Sequence, residues 1–246
     1  MPFTPAHSAI VLPLLKSRYF SATGLIVGSV SPDFEYFFKA SASGVHGHTA
    51  LGLFYFDLPV CFILAFTFHW LVKDSLMSNI PVFLQSRLVS LRELKFLAYL
   101  KSHWLIFVYS ALLGAFSHIF WDSFTHNNRY FVNAIPMLRT VHIPLDGARY
   151  PLWYVLQHVS TLVGLAFVMG YVFKMPSKTE SLSTPKYLYW VIILVLSVIL
   201  FYLRFHLLTI QLELGNVVVT AMSAFMLAMC LVSVVPYFKS LPVNKR

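Results

Sequence analysis

Five apolar runs constrain this chain before any other feature does. They lie near residues 51–72, 104–124, 152–173, 188–206 and 216–238. At about 1.5 Å of rise per residue, each is long enough to cross ~30 Å of hydrocarbon as a helix. Lipid offers no water to satisfy backbone groups, so a run of this length must close its own hydrogen bonds as a helix. Composition agrees: of 246 residues, 58% are apolar and 11% charged, a balance a soluble domain does not carry easily. The expected fold is an all-α polytopic membrane bundle. It has about five transmembrane helices and a short N-terminal helical segment that is either interfacial or re-entrant. Residues 1–246 read as a single integral-membrane domain; 1–160 carries the motifs and 174–246 adds two further transmembrane helices.

The formal net charge of +9 raises a nucleic-acid partner, but its distribution reads as membrane topology. Lys73, Arg87, Arg92, Lys95 and Lys101 fall in one loop, Lys174, Lys178 and Lys186 in another, and Lys239, Lys245 and Arg246 in the tail. Placing all three on the cytoplasmic side satisfies the positive-inside rule and suits an odd number of spans. Arg129, Arg139 and Arg149 in the 127–151 loop oppose that orientation. The start MPFTPAHSAI lacks the basic leader and cleavage site of a signal peptide. Cys61 and Cys230 sit in predicted spans, form no motif and read as packing residues. No GxxxG spacing occurs in the spans, so nothing specific indicates a dimer, and no protein partner is identifiable.

Ionisable side chains deep in apolar sequence are functional candidates. The stretch SHIFWDSFTH sets His118, Asp122 and His126 four residues apart at each step. On a helix each such step turns a side chain by only ~40°, so the three share one face. Imidazole and carboxylate at this spacing can grip a transition metal. Three of them cover ~12 Å of helix, which implies either two ions or a distorted helix end. His126 also reads as an interfacial residue or a contact for substrate phosphate. Asp57 precedes Leu58-Pro59, whose proline frees a carbonyl; it reads as a general base, a partner orienting a ligating His, or the stabiliser of a kink.

Thr4-Pro5 reads as an N-cap with proline at the first helical position, and Ser31-Pro32-Asp33 can cap a short helix carrying Glu35. In the loop 40–50, His46 and His48 compete for one role. With the topology above, His48, Asp57, His118, Asp122 and His126 fall near one membrane face. Gln157 and His158 enter the third span from the same side. His69, His103, His142 and His206 read as structural.

The pieces PFTPAH, GSVSPDFEYF, HGHTALG and SHIFWDSFTH occur in an order that resembles bacterial membrane-bound metal-dependent hydrolases. More closely, PFTxxH, PDFxYF, LGLxxFDLP and HxxWDSFTH look like an uncharacterised bacterial integral-membrane family. The His-x-x-x-Asp pair is similar, distantly, to zinc-dependent phospholipase C. The resemblance implies that His7, Asp33, His48, His118 and Asp122 are metal ligands. Glu35 stands where those hydrolases usually show a second Asp, and His48-Thr49-Ala50 replaces their Thr-His-Ser element.

The expected function is metal-dependent hydrolysis of an ester or phosphoester, with a membrane lipid or lipid-linked molecule as substrate. The metal is one or two divalent ions, zinc first, with manganese or iron as alternatives. Asp57 or Glu35 would accept the proton. His7, Asp33, His48, His118, Asp122 and His126 would supply ligands, with Gln157 and His158 as further candidates. The expected location is the bacterial inner membrane with the site toward the extracytoplasmic face. The alternatives are a transporter component binding a cation in transit and a non-catalytic protein with a structural or vestigial metal site.

Overall fold

The computed structural model describes residues 3–178, 182–207 and 213–240. Among the described residues, five stretches are long and apolar enough to cross a membrane: Leu53–Asn79, Phe96–Ala134, Leu152–Phe173, Tyr187–Leu207 and Leu214–Val234. They coincide with the five apolar runs, and the architecture is an all-α bundle. The described residues divide into two compact units, each assembled from separate pieces of chain. The first draws on the described residues up to 34, 45–62 and 100–174; the second draws on 35–44, 63–99 and the described residues from 175 onward.

In the first unit the N-terminal segment is a 3-10 helix over Thr4–Leu14 with prolines at both ends, followed by an α-helix over Ala22–Val30. The expected cap at Thr4 does not form: no side chain caps the 3-10 helix, and the Thr4 hydroxyl donates instead to the Asp33 carboxylate at 2.6 Å. Ser21 caps the second helix, its Oγ accepting from the Gly24 N–H at 3.2 Å. That helix carries a Gly24-x-x-x-Gly28 pair, the small-residue spacing that lets two helix backbones touch. It sits here rather than in a predicted span. A Cβ on Gly28 would lie 2.2 Å from the Ala111 carbonyl oxygen of the second span, and Gly114 faces Leu25 O in return. The 3-10 helix meets the third span similarly, with Ala6 against Gly164 and the Phe3 N–H donating to Thr161 Oγ1 at 3.1 Å. Both short helices therefore lie abreast of the middle of long apolar spans.

The first span opens with a π-helical turn over Leu53–Asp57, directly before Pro59. The Leu58 N–H reaches back five residues to Leu53 O, the bond of a π turn, and Pro59 beside it has no N–H to give. The second span bends at His103, whose backbone leaves helical geometry (φ −132°, ψ 31°). Between the second and third spans, strands β1 (His142–Leu145) and β2 (Ala148–Pro151) pair antiparallel. Asp146 and Gly147 turn the hairpin with φ of 48° and 78°, the left-handed pair that Asp-Gly supplies for a type I′ turn. The Asp-Gly dipeptide was the available signal for this hairpin.

In the second unit the fourth and fifth spans pack through Tyr189, Ile193 and Ala228, with Leu196, Leu200, Met229 and Val232 around them. Gln85 ties this unit's loops together: its amide donates to Ile80 O and Ser183 O, and its oxygen accepts from the Ser183 N–H. Cys61 and Cys230 are free thiols.

Candidate metal centre

Four segments far apart in sequence place His and Asp side chains at one buried point in the first unit. Asp33 ends the 3-10 turn Ser31–Asp33 that leads out of the Ala22–Val30 helix. It is not a helix cap, as the sequence had suggested: its carboxylate is fully buried and faces His48 and His118. His48 comes from the loop before the first span. Gly47 brings it in, since a Cβ there would lie 2.4 Å from Pro32 O, and Arg129 holds it by donating to His48 O at 3.1 Å. His118 and Asp122 lie one helical turn apart on the second span. His7 reaches the same point from the N-terminal 3-10 helix. Three residues per turn stack Thr4 and His7 on one face of it, so one contacts Asp33 and the other Asp122.

The distances suit a cation. His48 Nε2 is 3.5 Å from Asp33 Oδ1 and 3.3 Å from Asp122 Oδ2, while His118 Nε2 is 3.5 Å from both. An ion with bonds of about 2.0–2.2 Å to tetrahedral ligands separates those ligands by roughly 3.3–3.6 Å. Four of the six edges of such a tetrahedron are thus matched, and all four atoms lie within 4.8 Å of one another. Nε2 of His7 and His118, and Oδ1 of Asp33 and Asp122, are buried and make no hydrogen bond with any described residue. Buried polar atoms left this way carry a large desolvation cost, which a shared cation offsets.

Neighbouring groups orient the ligands. His118 Nδ1 lies 2.8 Å from Ser29 O. A carbonyl only accepts, so Nδ1 carries the proton and Nε2 presents its lone pair to the centre. Burial, and then the adjacent His118, push the His7 imidazole down to about 3, which keeps it neutral. Burial would raise Asp33, but His118 and His48 outweigh it and hold the carboxyl well below the usual carboxylate range. Burial would lower His48, yet the close approach of Asp122 and Asp33 moves it up. The four side chains offer carboxylate oxygens and imidazole nitrogens, without thiolate, a donor set that could hold a metal ion.

The structure sorts the other candidates. His126 stands beside the four, its Nδ1 3.3 Å from Asp122 Oδ1. His46 stays on the surface, hydrogen-bonded to Tyr55 Oη at 2.9 Å, which decides the choice in favour of His48. Asp57 is fully buried on the π-helical turn packed against Ser31–Asp33, outside the four-residue set. Glu35 belongs to the second unit, where Lys39 pairs with it at 2.6 Å. Gln157 is buried on the third span. His158 points away from the centre: it is exposed and edge-on to Tyr154. One residue past Gln157 on a helix is a turn of ~100°, which carries it to the outer face. His69 stacks on Phe96, and the His206 ring packs at a tilt against Tyr202. Reading the residues one by one missed Thr4, which positions Asp33, because its place before proline mimics an ordinary cap.

No curated protein and no solved structure matches the chain. A family model does, over residues 1–234, and that range takes in every residue of the cluster. The chain belongs to the family described as a domain of unknown function, DUF4184.

Proposed function

We propose that this protein is a membrane-embedded metal-dependent hydrolase that cleaves a phosphoester or ester of a lipid or lipid-linked substrate. One observation carries the reading: two buried carboxylates and two buried imidazoles converge at ion-sized distances beside membrane-spanning helices. Interhelical polar contacts in membranes contribute only about 0.6–2 kcal/mol each, weak compensation for burying so many ionisable groups as a mere packing device. A divalent ion held there supplies Lewis acidity, acidifying water and neutralising charge on an ester or phosphoryl oxygen. Asp33, His48, His118 and Asp122 hold that ion, and Thr4 and Ser29 O fix the orientation of Asp33 and His118. Lys39 already engages the Glu35 carboxylate, so Asp57 is the better choice for the proton acceptor. A lipid substrate fits a site flanked by apolar spans because its chains can stay in the bilayer while the headgroup enters. The three basic segments at 73–103, 174–187 and the tail support a site on the extracytoplasmic side, in keeping with a bacterial inner membrane.

The test is metal content by mass spectrometry on detergent-purified protein, beside His118→Ala/Asp122→Ala, followed by headgroup or phosphate release from phospholipid micelles. Stoichiometric zinc, manganese or iron that disappears in the double variant, with turnover that disappears with it, is the expected result. Absence of metal after reconstitution with each ion would sink the reading.

A further inference from the structure

The chain turns back just past the second span's ligands, through His126-Asn127-Asn128-Arg129, and the Arg129 N–H closes the turn by donating to His126 O at 3.3 Å. Asn128 takes a left-handed conformation there, with φ of 61°, which asparagine adopts more readily than most residues. The turn carries the Arg129 guanidinium to the loop before the first span, where Nη1 donates to His48 O at 3.1 Å. His48 directs its ring at Asp33 and Asp122, so a single residue separates the guanidinium from the centre. Arg129 is half-buried, whereas Arg139 and Arg149 of the same 127–151 loop are exposed. Of its five N–H donors, one reaches His48 O, and among the described residues no carboxylate pairs with it. A cation partly withdrawn from water without a counter-charge carries a desolvation cost, which an anion docked beside it offsets.

We propose that Arg129 binds the phosphoryl oxygens of the substrate, which makes that substrate an anionic phosphoester and not a carboxylic ester; the proposal rests on the hydrolase reading above and narrows it. Charge balance supports the choice. A divalent ion held by the Asp33 and Asp122 carboxylates is neutral overall, so these groups by themselves hold no excess charge for an anion. A carboxylic ester is neutral and needs no further cation. A phosphoester carries at least one negative charge, and the planar guanidinium fork is the side chain best matched to phosphate oxygens. With Nη1 anchored on the backbone of a ligand, the fork is held in place and its remaining N–H groups serve the phosphoryl group. Topology adds an independent argument. In the orientation that the other basic segments favour, Arg129 lies on the side where Lys and Arg are depleted, so a cation kept there answers to binding and not to insertion. A bilayer phosphate that only anchors the loop offers the same chemistry, and the experiment separates the two.

The experiment uses full-length, zinc-loaded protein in detergent, wild type beside Arg129→Gln and Arg129→Lys. Each is measured for zinc content and for inorganic phosphate binding by calorimetry. Turnover is then followed on a water-soluble phosphodiester, a phospholipid in micelles and a water-soluble carboxylic ester. The wild type should bind phosphate and prefer both phosphodiesters to the carboxylic ester. Arg129→Gln should keep its zinc, bind phosphate roughly tenfold more weakly and lose roughly 100-fold in kcat/KM on both phosphodiesters. Arg129→Lys should recover part of each loss, because lysine restores the charge but not the fork. Zinc lost from Arg129→Gln in step with turnover would overturn the proposal and reduce Arg129 to a brace for His48. A fall on the phospholipid alone, with the soluble phosphodiester unaffected, would overturn it in favour of a headgroup anchor. A wild type that prefers the carboxylic ester would overturn it even where a variant fails to fold, while leaving a metal-dependent hydrolase intact. Wild-type protein that holds no zinc, or turns over none of the three, would overturn the hydrolase reading and this proposal together.

Discussion

The two units of this protein bury polar side chains for opposite ends. In the second unit two buried hydroxyls return to the helix backbone one turn back: Ser197 donates to Ile193 O and Ser233 to Met229 O. Each such bond satisfies a donor where it stands and asks nothing of a distant residue. In the first unit the His and Asp side chains of the cluster face one another, and several of their atoms are left without a hydrogen bond to any described residue. A bundle that needs only to pack follows the first pattern. A bundle that positions ligands for a cation leaves that demand unmet until the cation binds.

The comparison can be broken or sharpened by substitution. The largest effect is expected at Gly28, where a side chain meets the Ala111 carbonyl and neither backbone can yield cheaply. Gly28→Val should cost about 3 kcal/mol and loosen the centre as well, because Ser29 next to it orients His118. Thermal unfolding and metal content should fall together. Ile193→Ala in the second unit should cost about 2 kcal/mol, less than in a water-soluble core because lipid is as apolar as the side chain removed. Its metal affinity should equal that of the wild type, and a parallel loss would break the comparison. Thr4→Val removes the hydroxyl that holds Asp33, and chelator competition should show metal affinity reduced roughly 10–100-fold with little change in unfolding. The smallest effect belongs to His158→Ala, which should leave metal content unchanged and stability within ~0.5 kcal/mol. A loss of metal there would mean that the third span turns its exposed face to the centre.

Legibility in the sequence followed the range of the interactions involved. The His118–Asp122–His126 face could be read because helical periodicity is local and all three lie on one helix. His7, Asp33 and His48 were reached through a resemblance, since their own neighbourhoods look like a helix start, a cap and a flexible loop. Gln157 and His158 were assigned by depth alone, and depth without helix azimuth separates neither from the lipid face. The role of Gly24 and Gly28 was overlooked because the small-residue spacing was sought in the spans and occurs in the short helix that packs on one.

The sequence by itself determined the five spans and the all-α class, because hydrophobic length and backbone self-satisfaction in lipid leave one solution. It also determined which chemistry was on offer, since two carboxylates and several imidazoles with no paired thiols narrow the metals. Only the tertiary structure decided which of ten histidines face one another, that Thr4 serves Asp33, and that Asp122 turns its oxygens in two directions. The physical reason is distance along the chain. Thr4 and Asp33 are 29 residues apart and Ser29 and His118 are 89 apart, and no local rule relates them. Glycine-mediated backbone contacts bring those segments together, and they exist only once the helices have packed.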